Sequence, residues 1–395
     1  MPGAVIVAGA RTPIGKLSGA LAGFAAVDLG AVAIAAAVKR AGIGPQDVDY
    51  VYMGHVLQAG AGQITARQAA VKAGIPMSVP ATTVNKVCLS GLNAIHLADM
   101  LISTGQAEVV VAGGMESMSN APYLLPGARA GYRFGDQTLV DALMHDGLLC
   151  AFDVCPMGAG TERYTREAGT ISRERQDALA ANSHERAAAA MKQGRFAEET
   201  VPVEVPQRKG EPLVLEADEG LRPGTSVDSL AKLKPAFAAD GTITAGNASQ
   251  ISDGGAAVVV MSKAAAERFG AQPLGEIVSY GQVAGPDPSL LTQPSRSTKQ
   301  ALAKAGRQVS DVDLFEFNEA FAAVALASME DLGVGEDVVN VNGGAISLGH
   351  PIGMSGTRLA LTLLLELTRR GGGLGAAALC GGGGQGDAML LQTLS

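Results

Sequence analysis

The chain carries one unit twice. Ala41-Gly42 is followed, after four intervening residues, by Asp47-Val48-Asp49, and Ala305-Gly306 is followed in the same way by Asp311-Val312-Asp313, an offset of 264 from Ala41 to Ala305. Both copies continue into an apolar run, Tyr50–Met53 and Leu314–Phe317. Ser90-Gly91 and the helical stretch after it recur as Ser355-Gly356 and its helical stretch at an offset of 265, and Val109–Gly114 matches Ala377–Gly382 at 268. An unchanged order with a slowly drifting offset marks a duplication with small insertions. Two such copies would pack about a pseudo-twofold axis, so that equivalent loops meet at the centre. Ligands of sheets of this kind sit beyond the carboxyl ends of the strands.

Within each unit β-like runs alternate with helix-like stretches. Val5–Val7, Val109–Ala112 and Ala256–Met261 read as buried strands; Asp28–Lys39 and Leu359–Arg370 place apolar residues at three and four spacing and read as helices. That alternation predicts an α/β fold of parallel-type sheets covered by helices. The 52 Gly cluster at the ends of apolar runs, where turns and close backbone approach call for them, and with Trp absent the core is filled by small residues. In the second copy Cys380 passes through a Gly-rich turn straight into the strand Ala388–Leu391. In the first copy well over a hundred residues separate Gly113-Gly114 from Asp253-Gly254-Gly255. They include a charged helical stretch, Arg173–Gln193, and Pro-rich loops over 201–224. The reading is therefore an N-terminal half (1–119 plus 250–272), an inserted domain (120–249) and a C-terminal half (273–395).

A formal net charge of -8 without basic runs argues against nucleic acid and anionic membranes as partners, though a few local Arg or Lys suffice for a polyanionic ligand. No apolar run reaches the roughly 18 residues that span a bilayer. The opening residues Met1–Val7 lack the basic flank and apolar core of a secretory leader. Cys88, Cys150, Cys155 and Cys380 show neither disulfide nor zinc spacing, which fits a reduced, cytoplasmic setting.

Cys88 lies in Asn85-Lys-Val-Cys88-Leu-Ser-Gly91, after an extended run and before a helical stretch. A thiol at a helix start feels the positive end of the dipole, which predicts a lowered pKa and a thiolate; the same position also suits a small buried hydrophobe. His350 sits between Gly349 and Pro351 in a turn opening a helix, a rigid mounting that suits proton transfer, or simply a hydrogen-bonded turn. His55, His96, His145 and His184 lack comparable loops. By the repeat, Cys380 occupies the loop equivalent to Ala112-Gly113-Gly114, and the glycines after it can turn their amides inward as an oxyanion nest. Gly381, Gly383 and Gly386 formally match a dinucleotide fingerprint, but a strand and not a helix follows. Gly9–Lys16 is no phosphate loop, because Ala10 and Leu17 stand where Gly and Ser/Thr are needed. Cys88, His350 and Cys380 match no metal-ligand spacing. Asn318-Glu319 follows the run Leu314–Phe317, where Asn318 could equally cap a helix.

Five segments in this order resemble the thiolase family, in its acetyl-CoA acetyltransferase branch: Ala8–Gly15, Asn85–Gly91, Asn318–Phe321, Asn340–Gly356 and Cys380–Gly386. The likeness covers nearly the whole chain. It implies a five-layered αβαβα fold of two similar halves with an inserted loop domain. It implies Cys88 as the nucleophile that becomes a thioester, and His350 as the group that takes its proton and later polarises a thioester oxygen. Cys380 would be the acid/base at the α-carbon of the second acetyl-CoA. Asn318 would hold a water in one oxyanion hole beside His350, and the amides of Cys88 and Gly382 would form the other. Arg222, Ser229, Phe237, Ala245 and Ser249 align with coenzyme A contacts, and Leu148, Met157 and Phe321 with the acyl and pantetheine end. One departure is Pro156 before Met157-Gly158, where many members have His. No tightly bound cofactor is implied. Acetyl-CoA, acetoacetyl-CoA and CoA are the expected small-molecule partners, and the insertion between Pro122 and Asp146 resembles a tetramerisation loop, so a homotetramer is expected. The alternatives are a broad 3-ketoacyl-CoA thiolase, an acyl-carrier-protein ketosynthase, disfavoured by Cys380 in place of a second His, and a non-catalytic acyl-CoA or lipid carrier.

Overall fold

The computed structural model of the chain describes residues 4–394; Met1–Gly3, part of the stretch weighed as a leader, and Ser395 lie outside the described residues. In chain order the first copy contributes β1 (Val5–Arg11), α1 (Ala26–Arg40), β2 (Tyr50–Gly54), α2 (Thr65–Lys72), β3 (Ala81–Val84), α3 (Ser90–Ser103) and β4 (Val109–Ser117). The long segment that follows carries α4 (Met157–Ala168) and α5 (Arg173–Lys192). Then come β5 (Ser252–Met261), α6 (Lys263–Phe269), β6 (Gly275–Ala284), α7 (Gln293–Ala305), β7 (Leu314–Phe317), α8 (Ala322–Leu332), α9 (Ser355–Arg369), β8 (Leu374–Gly381) and β9 (Gln385–Gln392).

The strands join as β7-β8-β9-β6-β1-β5-β4-β2-β3, with the two-residue strand Gly15–Lys16 against β5. β6 and β1 touch only at Val5–Glu276 and Ile6–Gly275, so each copy keeps its own half-sheet. The expectation of parallel sheets needs correction, because the sheet is mixed. Helical crossovers connect the parallel neighbours β2/β3, β2/β4 and β7/β8. The neighbours β4/β5, β5/β1, β8/β9 and β9/β6 are antiparallel. β8 turns straight back into β9, and a short turn can only return a strand antiparallel. β4 and β5 have the same mutual arrangement, with residues 118–251 standing where the second copy has the turn 382–384.

The register also corrects the repeat. Tyr50 pairs with Val110, and Leu314 with Gly375, so strand equivalence stays at 264–265 and does not drift to 268. The counterpart of Cys380 is therefore Met115, not Ala112, and that of Gly382 is Ser117. The glycine pairs that suggested the other alignment answer separate needs. A Cβ on Gly113 would meet the Ala256 carbonyl oxygen at 2.2 Å and one on Gly114 the Gly353 carbonyl oxygen at 1.9 Å, whereas one on Gly381 would strike Leu89.

Alternation along the strands sorts the core into layers. Val109 and Val111 face α1, α2 and α6, with Ile34, Ala69 and Ala266. Val110 and Ala112 face inward, where Leu92 and Ile95 of α3 and Leu359 and Leu363 of α9 also pack on Ala377, Met389 and Leu391 of the other half. Ala376, Ala378 and Leu390 look out onto α7 and α8. The result is five layers, αβαβα, with α3 and α9 in the middle. These two helices cross almost in backbone contact: a Cβ on Gly91 would lie 3.0 Å from the Thr357 amide nitrogen, and one on Gly356 2.4 Å from that of Leu92. The repeated Ser-Gly pair is thus a packing requirement. It brings the segments entering the two helices, Asn85–Leu89 and Gly349–Met354, together. The long segment is fastened to β1 by Arg11, wholly buried and bidentate to Asp218 (2.7 and 3.0 Å), with Nε donating to Glu199 at 2.7 Å.

Candidate active site

Cys88 ends a tight turn between β3 and α3. Val87 takes φ 51°, a left-handed conformation that branched residues avoid. The Ser90 hydroxyl donates to the Val87 carbonyl (2.6 Å) and accepts from the Lys86 amide (2.8 Å), which holds the turn. Cys88 is half-buried, packed with Leu148 against Val56, Leu57, Met118 and Ile352. Burial pushes its thiol up to about 12; the nearby Glu116 carboxylate adds to this, while the amides of Cys88 and Gly382 oppose it. The expected thiolate is therefore corrected. The helix-start amides do favour the anion, but desolvation outweighs them, and the resting group is a thiol.

His350 lies in the connection to α9. Gly349, at φ 118°, passes so close to Ser252 that a Cβ would sit 2.5 Å from its hydroxyl. His350 Nδ1 is 2.6 Å from Ser355 Oγ, and that hydroxyl donates to the Pro351 carbonyl at 2.9 Å. With its one proton so used, Ser355 accepts from Nδ1–H, so that Nε2 is an acceptor and takes its hydrogen bond from the Asn318 amide. Nε2 lies 3.3 Å from Asn318 Nδ2. Burial, with Arg358 adding, pushes the imidazole down to about 3, so it is a neutral base. Asn318, just past β7, keeps Oδ1 as a buried acceptor without a partner among the described residues.

Cys380 differs from expectation. It is a residue of β8 paired with Gly386, not of a polar loop, and is buried against apolar neighbours. Its thiol is raised by burial first and then by the charge of a Cys88 thiolate, which makes the two sulfurs neighbours. The turn after it, with Gly383 at φ 80° and Gly384 at 65°, lays Gly381 on Leu89 and Gly382 on Val87. The Gly382 amide points at the Cys88 sulfur.

The residues aligned with coenzyme A contacts fall into two groups. Phe237 lies flat against Gly158, leaving no room for a Cβ, and meets Phe321 edge-on with centroids 6.4 Å apart. The Ser249 amide donates to the Ala320 carbonyl at 3.0 Å, so Ala245–Ser249 runs along Asn318–Phe321. Met157 and Phe321 pack against one core cluster and Leu148 against that of Cys88. Arg222 and Ser229 stand further out. The Arg222 amide donates to His184 Nδ1 at 3.3 Å; Ser229 lies in the turn Val227–Leu230, which reaches the rest where Leu230 covers Gly246. Pro156 caps α4 opposite Leu149, beside Met157.

Sequence reasoning passed over Glu116 and the role of Ser355, and placed Glu319 beside Asn318 at the strand end without giving it a role. Glu116 is wholly buried at the end of β4, and its signal was a carboxylate inside the apolar strand Val109–Ser117. Glu319 accepts from Asn340 Nδ2 (2.9 Å), the Ser183 hydroxyl (2.7 Å) and the Ile346 amide (3.1 Å), and so steadies the segment leading to His350. Ser355, which sets the tautomer, left no sign beyond its spacing from His350. Among the described residues, no group of three or more His, Cys, Asp or Glu is placed to hold a metal ion, and no helix is long and apolar enough to cross a membrane.

Two family descriptions match, the thiolase N-terminal domain over residues 4–264 and the thiolase C-terminal domain over 271–393. The chain is 58% identical over 388 residues to a probable acetyl-CoA acetyltransferase of Mycolicibacterium smegmatis, covering 98% of this chain and 100% of the relative. It is 57% identical over 394 residues to a protein of the same description from Mycobacterium leprae, covering 100% of each. To an acetyl-CoA acetyltransferase of Pseudomonas aeruginosa it is 52% identical over 392 residues, 99% of each. With both family domains matched in order along a chain whose two halves fold alike, this protein belongs to the thiolase family.

Proposed function

We propose that the chain is an acetyl-CoA C-acetyltransferase, joining two acetyl-CoA into acetoacetyl-CoA and CoA, reversibly. The observation that carries this reading is that Cys380 and the Gly382 amide come together at the Cys88 sulfur, while Ile352 of the His350 turn lies in the cluster against which Cys88 packs. Cys88 attacks the thioester carbonyl as its proton passes to His350 Nε2, and the CoA thiolate leaves with that proton. The amides of Cys88 and Gly382 receive the negative oxygen of the intermediate. Cys380 then passes its own thiol proton to the freed His350 Nε2 and, as the thiolate, takes a proton from the methyl of the second acetyl-CoA. The enolate oxygen is met by the N–H that His350 Nε2 now carries and by a water that Asn318 Oδ1 can hold. The carbanion carbon attacks acetyl-Cys88, forming the carbon–carbon bond and releasing the Cys88 sulfur, which takes back its proton from His350 Nε2.

The same reading divides the chain into an N-terminal half (1–119 plus 250–272), a coenzyme A platform (120–249) and a C-terminal half (273–395). Arg222, Ser229, Phe237, Ala245 and Ser249 contact coenzyme A, and Leu148, Met157 and Phe321 line the acyl end. The exposed stretch around Tyr123, Phe134 and Leu139 is the contact of a homotetramer in the cytoplasm. Thiolysis of 3-ketoacyl-CoA across chain lengths tests the substrate. The account expects a strong preference for acetoacetyl-CoA, and equal rates with long chains would favour the broad 3-ketoacyl-CoA thiolase instead.

A further inference from the structure

We infer that Glu116 is a positioning residue of this site, a carboxylate that holds the His350 turn and the Val56-Leu57 segment in fixed relation to Cys88. The inference rests on the reaction proposed above. Glu116 Oε2 accepts from the Gly353 amide at 2.9 Å and the Val56 amide at 3.1 Å, and Oε1 from the Leu57 amide at 3.0 Å. Gly353 is three residues from His350. Val56 and Leu57 belong, with Ile352, to the apolar cluster against which Cys88 and Leu148 pack. One buried group thus ties the base, the nucleophile's surroundings and the acyl end to the end of β4.

The chemistry asks for an anion here. Three N–H donors converge on two oxygens, and among the described residues no Lys or Arg pairs with the carboxylate. An amide side chain has one acceptor oxygen and would turn an NH2 toward a backbone N–H, leaving buried donors unpaired. The groups facing Glu116 are His55 from the end of β2, with Nε2 at 3.5 Å, Cys88 from the turn before α3, and Asp253 from β5. Burial pushes His55 down to about 4, so it brings no charge near neutral pH. Burial also pushes the Glu116 carboxyl up to about 7. Protonation therefore falls within the working range, and it would spoil the same hydrogen bonds that Glu116→Gln spoils. The negative charge beside the sulfur works against a free thiolate, which leaves activation of Cys88 to His350.

The test uses full-length wild type, Glu116→Gln and Glu116→Asp, with kcat and KM for acetoacetyl-CoA thiolysis from pH 5.5 to 9 and intact-mass detection of acetyl-Cys88. Wild-type kcat should fall as pH drops through about 7. Glu116→Gln should lose roughly 10–100-fold in kcat, the scale of a base displaced by up to an ångström, with KM nearly unchanged and the acid limb gone. Glu116→Asp, which restores a carboxylate, should bring the limb back. A general loosening of the fold would lower kcat without removing one limb. The idea fails if wild-type kcat shows no acid limb near 7, a result that does not require any variant to fold. It also fails if Glu116→Gln keeps wild-type kcat or its limb. Normal acetylation of Cys88 alongside either result would overturn Glu116 alone; wild type that acetyl-CoA cannot acetylate at Cys88 would overturn the reaction as well.

Discussion

Removing the His350 imidazole should expose what the buried Cys88 thiol costs to ionise. With that thiol held up to about 12, about 10⁻⁵ of it is ionised at pH 7. At about 1.4 kcal/mol per pH unit this is about 7 kcal/mol, a ceiling because Cys88 is only half-buried. A base in contact avoids most of that cost by taking the proton as the C–S bond forms, and such a base is worth roughly 10²–10⁴ in rate. Burial pushes His350 down to about 3, so Nε2 is unprotonated near neutral pH but takes the proton only in concert with C–S bond formation, not from the resting thiol. His350→Ala should therefore slow acetylation of Cys88 by roughly 10²–10⁴-fold at pH 7. Between pH 7 and 9 the wild-type rate should be nearly flat, while the variant should climb about tenfold per unit as solvent replaces the base. Intact-protein mass spectrometry against time after mixing with acetyl-CoA reads both. Acetylation of the variant at the wild-type rate with a flat profile would mean a preformed thiolate, and the helix-dipole expectation would have been right after all.

Two further substitutions test the frame around the site. Gly114→Ala would place a Cβ 1.9 Å from the Gly353 carbonyl oxygen, backbone against backbone. It should cost about 1–3 kcal/mol in denaturant unfolding and lower kcat by displacing the His350 turn; a variant with normal kcat would show that the turn need not rest on β4. Arg11→Met leaves Asp218 and Glu199 buried without their cation and should cost about 3–5 kcal/mol. A loss under about 1 kcal/mol would mean that these ion pairs do not fasten the long segment between β4 and β5.

Much of the fold was legible because duplication wrote it twice. Strand–helix alternation, the interruption after Gly114 and the Ser-Gly pairs are local patterns that packing preserved. Strand direction was less legible. Alternation suggests crossovers, and the hairpin from β8 to β9 that makes its neighbours antiparallel is a matter of turn length. The register slip of three residues arose because glycine carries no mark of which backbone crowds it. Gly113 and Gly114 are small for Ala256 and Gly353, and Gly381 for Leu89. At the site, Cys88, His350, Asn318 and Cys380 stood out by their settings and by the family likeness. Their protonation states did not, since these follow from burial that only the packed halves create. Glu116 was missed, and Glu319 was noted without a role, for a related reason: they act by accepting backbone amides from distant segments, a role that no spacing in the chain announces.

The division of labour between the two cysteines is the centre of the account, and Cys380→Ala tests it. Acetylation of Cys88 needs the thiol, His350 and the Gly382 amide, none of which is the Cys380 side chain. Condensation needs a base at the methyl of the second acetyl-CoA. The variant should form acetyl-Cys88, perceptibly by intact mass, while exchange of deuterium from solvent into the acetyl-CoA methyl falls by roughly 10²–10⁴-fold. Exchange at the wild-type rate in Cys380→Ala would contradict the account and move the α-proton to His350.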